Sequence, residues 1–107
     1  MNRLERDFFL GFIKMHILHH TAKEKVYGKE FRDELARHGY EVSFGTLYPI
    51  FHRLERDGFL RSEEINVNGK IRRYYGITQN GQEILELSKI RAKELFMELF
   101  EEYENGK

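Results

Sequence analysis

The sequence predicts a mainly α fold with a β-hairpin wing: a winged helix-turn-helix carrying additional N- and C-terminal helices for dimerisation. Three observations predict it. Leu47, Ile50, Phe51 and Leu54 recur at the i, i+3, i+4, i+7 spacing that lines one stripe of an α-helix. A shorter helical pattern, the Phe31 and Leu35 pair, precedes that stretch across a short turn, as in a helix-turn-helix. The periodicity then changes, and FLRSEEINV and KIRRYYGI flank Asn68-Gly69, the strongest two-residue signal for a β-hairpin.

Composition bounds the reading. With 107 residues the chain is expected to form a single domain, residues 1–107, whose own core is modest unless it pairs with a copy of itself. The chain has no cysteine, which excludes disulfide frameworks and thiolate metal sites. No apolar run is long enough for a signal peptide or a membrane span, so a soluble, cytoplasmic protein with no membrane partner is expected. Net charge is zero, but residues 94–107 hold five carboxylates and one lysine, leaving 17 cations against 13 anions in the body. An acidic tail thus masks a mildly basic remainder.

The first helix is expected over residues 4–19. Leu4, Phe8, Phe9, Leu10, Phe12, Ile13, Met15, Ile17 and Leu18 cover most of its circumference and leave Asp7, Gly11 and Lys14 as a narrow polar strip. A helix apolar nearly all round is buried on more than one side, and in so short a chain a second subunit is the natural cover. His16 and His20 are one helical turn apart, a separation that suits two zinc ligands. No third ligand is indicated, and the intervening Ile17, Leu18 and His19 rule out an HExxH motif, so neither a metal nor another cofactor is expected. The plainer reading is a helix end favoured by cationic residues.

Residues 21–27, TAKEKVY, read as a polar connection, and the second helix follows over residues 29–38, ended by Gly39. The third, residues 43–57, is the candidate recognition helix: Ser43 can cap its start, and Asp57-Gly58 closes it. Opposite its apolar stripe stand Gly45, Thr46, Tyr48, Pro49, His52, Arg53 and Arg56, with Glu55 the sole carboxylate among them. That face can lie against phosphates. Pro49 cannot donate to the carbonyl of Gly45, so a bend or loosened first turns are expected there.

Over residues 59–77 a two-residue turn would set Glu64 opposite Arg73 and Leu60 opposite Ile77. Lys70, Arg72 and Arg73 then lie near a projecting tip, suited to phosphate or the minor groove; the alternative is a solvated ribbon. Thr78 caps a last helix over residues 79–103, whose stripe of Ala92, Leu95, Phe96, Leu99 and Tyr103 extends beyond the helix-turn-helix core and needs a partner.

The string GTLYPIFHRLERDGFL, the later RRYYGIT and Gly81, together with Val26-Tyr27-Gly28 ahead of the second helix, resemble the signature of the PadR family of winged-helix transcriptional regulators. The resemblance covers roughly residues 8–88, and the single C-terminal helix is similar to the smaller subgroup of that family. It implies a homodimer that binds a palindromic operator, usually as a repressor, and is released by a small molecule or by stress. Carried over by position, it implies that Ser43, Thr46, Tyr48, Pro49 and His52 lie in or beside the major groove, with Lys70, Arg72 and Arg73 on the wing. The family often has a further basic residue near the wing tip, where this chain has Asn66, Val67 and Asn68, which implies a weak wing contact.

The residues themselves support a matching mechanism. Phosphate contacts from Lys29, Arg53, Lys70, Arg72 and Arg73 would position a dimer on double-stranded DNA, while Thr46, Tyr48 and His52 touch base edges or thymine methyls. The recognition helix has no Arg or Asn at its front for bidentate base reading, so part of the specificity is assigned to DNA shape. Phe8, Phe12, Met15, Phe96, Leu99, Phe100 and Tyr103 are expected at the dimer interface, where they line a pocket for a flat aromatic effector or simply pack densely. Two rival classes make different demands. A winged-helix protein-protein adaptor would show no salt-sensitive binding to any duplex. An enzyme needs a nucleophile with a base, and Ser43, Ser62 and Ser88 have none at suitable spacing.

Overall fold

The computed structural model describes residues 1–101. In chain order these form α1 (Arg3–Lys23), β1 (Val26–Tyr27), α2 (Gly28–Arg37), α3 (Phe44–Arg56), β2 (Leu60–Val67), β3 (Lys70–Ile77) and α4 (Gln79–Leu99). The three strands make an antiparallel sheet in the order β1-β3-β2.

Asn2 caps α1 by accepting the Glu5 N–H at 2.9 Å. The helix runs a turn beyond the expected residue 19, because Thr21, though polar, is buried and its hydroxyl donates to the Ile17 carbonyl at 2.7 Å. A side chain satisfied by its own helix does not interrupt it. The expected polar connection over residues 21–27 is therefore corrected. Its first three residues complete α1, and Val26 and Tyr27 pair with Tyr75 and Tyr74 as a short third strand. Two residues carry too little alternation to announce a strand; the edge of β3 creates it.

Ser43 caps α3, its hydroxyl oxygen accepting the Thr46 N–H at 3.3 Å, and Gly58 follows the helix at φ +86°, a left-handed conformation suited to glycine. The helix is continuous through Pro49, and the carbonyl that loses its donor belongs to Gly45, an exposed residue. The hairpin has Leu60 opposite Ile77 and Glu64 opposite Arg73, and Asn68 and Gly69 adopt φ +53° and +85°, the paired left-handed conformations of a type I′ turn.

The core gathers one face from each helix and one side of the sheet. Ile13, Ile17 and Leu18 of α1 meet Phe31 and Leu35 of α2, Leu47, Ile50, Phe51 and Leu54 of α3, and Leu60, Tyr75 and Leu85. Phe31 meets Phe51 edge to face at 5.7 Å, and Phe51 lies 4.6 Å from Tyr75. Thr78 ties the sheet to α4: its hydroxyl donates to the Gly58 carbonyl at 2.6 Å and accepts the Gly81 N–H at 3.0 Å. Beyond Leu85, α4 leaves the core, and Leu87, Ile90, Leu95, Phe96, Met97 and Leu99 are exposed. The described helix reaches Leu99 within the expected 79–103, and Tyr103 lies outside the described residues. No described helix is long and apolar enough to cross a membrane.

Candidate nucleic-acid interface

Amphipathicity turns α3 so that the stripe from Leu47 to Leu54 is buried while Tyr48, Pro49, His52 and Arg53 face outward. Tyr48 and His52 are in contact one turn apart, their ring centroids 4.4 Å from each other and their planes tilted by 52°. Ser43 is exposed, but its hydroxyl is engaged as the helix cap and lies 3.4 Å from the half-buried Thr46 hydroxyl. These two residues therefore hold the start of the helix as well as facing what it meets.

The wing cations differ in their commitments. Lys70 is exposed at the first position of β3. Arg72 is half-buried, its guanidinium 4.6 Å over the Tyr27 ring, where a cation gains from the ring quadrupole without losing its N–H donors. Arg73 donates to Ser62 Oγ at 3.0 Å and to Glu64 Oε1 at 2.7 Å, so part of its charge is spent within the ladder. Lys29, at the start of α2, is 3.9 Å from Asp33 and exposed. Glu55 does not face outward with its helix neighbours. Its Oε2 accepts both the Ser62 N–H and hydroxyl, so this carboxylate is engaged by the outer strand of the wing.

Seven of the ten sequence-derived candidates gather into two clefts beside α3, and Thr46 and Lys70 line neither. Lys29, Tyr48, Arg72 and Arg73 share a cavity of about 390 Å³ with Tyr27, Gly28, Phe44 and Tyr75. Pro49, His52 and Arg53 line a shallower groove with Glu55 and Arg56. Ser43 belongs to a third hollow with Arg32 and Tyr40. Sequence reasoning missed Arg32, whose guanidinium sits 4.2 Å over Phe44, and Ile71, exposed at the wing between Lys70 and Arg72. Arg32 follows Lys29 by three residues on α2, a spacing that puts both on neighbouring surface, and this was the available signal.

Among the described residues, aromatic side chains of both terminal helices make ring contacts. Phe8 is exposed and stacked on Phe12 at 6.3 Å, while Phe12 is half-buried between Tyr40 at 5.2 Å and His16 at 4.4 Å. Met15 packs against the core. On α4, Phe96 contacts Phe100 at 4.7 Å, and Phe96 and Leu99 are 61% and 63% exposed.

His16 and His20 acquire a neighbour that spacing did not show. His38 at the end of α2 lies 6.1 Å from His16, which is itself 6.0 Å from His20. Burial, followed by the neighbouring imidazoles, holds His16 and His20 below the usual histidine range. Among the described residues no group of three or more His, Asp or Glu is arranged to hold a metal ion.

Comparison with known proteins agrees with this architecture. The model of the transcriptional regulator PadR-like family matches residues 17–87. The transcriptional regulator Rv3488 of Mycobacterium tuberculosis (strain ATCC 25618 / H37Rv) is 46% identical over 94 residues, 88% of each chain. A PadR family transcriptional regulator from Eggerthella lenta DSM 2243 superposes with a TM-score of 0.79 at 31% identity, over 92% of this chain and 87% of its own. A PadR-like transcriptional regulator from Bacillus cereus strain ATCC 14579 gives 0.76 at 31%, over 83% and 88%. The family model takes in the last turns of α1, then α2, the α3 strip, the hairpin and the start of α4, and the chain belongs to the PadR-like family of transcriptional regulators.

Proposed function

We propose that the chain is a sequence-specific, homodimeric regulator of transcription that binds a palindromic operator in double-stranded DNA as a repressor, in the cytoplasm, and is released by a small-molecule or stress signal. The observation that carries this reading is the outward strip of Tyr48, Pro49, His52 and Arg53 on α3, flanked by the wing cations, with the neighbouring Glu55 carboxylate engaged by Ser62. Membership of a family of transcriptional regulators supports it, and that family is not one of enzymes.

In this reading Lys29, Arg53, Lys70, Arg72 and Arg73 contact phosphates, while Ser43, Thr46, Tyr48, Pro49 and His52 meet the major groove. The exposed apolar ends of α1 and α4 supply the subunit contact, with Phe8, Phe12, Met15, Phe96, Leu99, Phe100 and Tyr103 at the interface or around a pocket for an aromatic effector. Two recognition helices about 34 Å apart would enter successive major grooves.

Selection of bound duplexes from a random library tests the reading. A palindromic consensus with half-sites one helical turn apart is expected. Its affinity should fall with salt at a log-log slope of about −5 if each subunit neutralises about three phosphates. A slope near zero, or no enriched duplex, would point to a protein-protein adaptor instead.

A further inference from the structure

The turn between α2 and α3 is held against α1 by rings. Tyr40 lies 5.7 Å from Phe9 and 5.2 Å from Phe12, and one turn further along α1 His16 lies 6.1 Å from His38 at the end of α2. The Tyr40 N–H donates to the Leu35 carbonyl at 2.9 Å, so the turn moves with the end of α2. Ser43, the cap of α3, follows shortly after Tyr40. Whatever separates His38 from His16 therefore shifts the start of the helix that carries Thr46, Tyr48 and His52.

Four imidazoles meet at this seam. His20 lies 6.0 Å from His16 and 5.2 Å from His19 between ring centroids, and His38 joins them from α2 through His16. Histidine is the side chain whose ordinary titration falls between about pH 5 and 8, so the cluster gains charge where carboxylates and lysines do not change theirs. The charges acting on His16 and His20 come from His19 and Lys23 on α1 and from Glu34 and His38 on α2. Glu34 is the carboxylate among them, and it is already engaged: it accepts from Arg37 and lies 3.3 Å from His38 Nε2. Glu24 and Glu30 line a hollow with His20 that His16 and His38 do not line.

We propose that the seam between α1 and α2 is a proton-driven switch: in a mildly acidic medium His16 and His38 both take up a proton, repel each other, and lift the Tyr40 turn off Phe9 and Phe12, so that the start of α3 leaves its operator-binding position. The inference rests on the DNA-binding reading above and adds a regulation to it. Like charges within about 6 Å disfavour the doubly charged state, and parting the two helices relieves them. His52 acts in the opposite sense. It is exposed on the outer side of α3, where a proton adds a cation toward phosphate and strengthens binding. Removing it isolates the contribution of the seam.

The test uses the full chain carrying His52→Gln and the duplex recovered by selection from the random library, at fixed salt and from about pH 7.5 down to about 5.8, a range that spans histidine titration. Affinity is expected to fall about tenfold, the linkage of about one proton excluded from the bound state. Adding His16→Gln or His38→Gln should reduce that fall to about threefold or less and leave affinity at the upper pH unchanged. Amide protection from Tyr40 to Leu47 in the DNA-free chain should decrease over the same range, and less so in the two seam variants. The proposal is overturned if affinity does not fall on acidification, or if the fall is as large in both seam variants. It is also overturned if the fall accompanies loss of helical circular dichroism or of self-association, which would make it unfolding or dissociation. Failure to bind any duplex with salt dependence would bring down the DNA-binding reading and this proposal together; binding whose pH dependence ignores His16 and His38 removes the proposal alone.

Discussion

Glu55 Oε2 accepts two hydrogen bonds from Ser62, 2.9 Å from its backbone nitrogen and 2.7 Å from its hydroxyl. One carboxylate thereby joins the last turn of α3 to the outer strand of the wing and fixes the angle between the two elements that flank the candidate interface. Ser62 passes the connection on, because its oxygen also accepts from Arg73, which in turn holds Glu64. Glu55→Ala should therefore cost about 1–3 kcal/mol in urea denaturation, the range for a part-buried bond to a charged group. Ser62→Ala should cost less, since the backbone N–H contact survives. A double-mutant cycle should show coupling between them, and strict additivity would mean that the contact does not organise the wing.

Gly81 lies in the first turn of α4 where the helix crosses the chain before β2. A β-carbon there would stand 2.2 Å from the Phe59 carbonyl oxygen and 2.6 Å from Ile77 Cγ1. In an open helix alanine is favoured over glycine by about 1 kcal/mol. Here the sign reverses, because the nearest obstacle is backbone and cannot rotate away. Gly81→Ala should lose about 3 kcal/mol by thermal or chemical denaturation, the upper part of the overpacking range. A variant as stable as the native chain would show that α4 can move off the sheet without cost.

Acid should loosen the seam between α1 and α2 before it affects the carboxylates. His16 and His20 are held below the usual range mainly by burial, and His38 and Glu34 face them from α2, with His19 and Lys23 alongside on α1. A histidine with a lowered folded-state pKa is favoured as the neutral ring. Its contribution is therefore present above the unfolded value of about 6.5 and lost as pH falls through the folded value. Glu34 is shifted down chiefly by its hydrogen bond to Arg37, so its contribution goes only in stronger acid, below the ordinary carboxylate value. Melting temperature followed against pH should begin to fall below about 6.5. That first decline should shrink in His16→Gln, and if the variant keeps the native pH profile, His16 is not a source of it.

The parts legible in the sequence are those set by local chemistry. Asn68-Gly69 dictates a turn with two left-handed residues, and once that turn is placed the pairing of Glu64 with Arg73 follows by counting. Ser43 and Thr78 announce the starts of α3 and α4, and the stripe from Leu47 to Leu54 sets which side of α3 faces outward. What was not legible depends on contacts distant in the chain. Val26 and Tyr27 are a strand only because Tyr74 and Tyr75 lie beside them. Thr21 continues a helix that its polarity seemed to end, since burial and its own back-bond decide the matter. In the candidate site, the division of the cations was the hidden part. Residue type gives the charge of Arg72 and Arg73, but only the fold shows that one rests on Tyr27 while the other is tied to Ser62 and Glu64.

The uncovered ends of α1 and α4 carry the final prediction. Leu4 and Phe8 on one helix, and Leu95, Phe96 and Leu99 on the other, are each more than half exposed, although α3, of similar apolarity, hides its stripe completely. Exposed apolar surface of this extent marks a contact site, and a second copy presents the same two helices. Phe96→Glu would then bury a carboxylate against apolar neighbours, which should weaken self-association by about 100-fold, equivalent to about 2.7 kcal/mol. Sedimentation equilibrium should show the native chain as a dimer and the variant shifted toward monomer. Because the change lies far from α3, the helical circular dichroism should be kept, while affinity for a two-half-site duplex falls much more than affinity for a single half-site. If the variant stays a dimer of native affinity, Phe96 does not lie in the contact; if it becomes monomeric yet binds the full duplex as before, the two half-sites are not read by paired subunits.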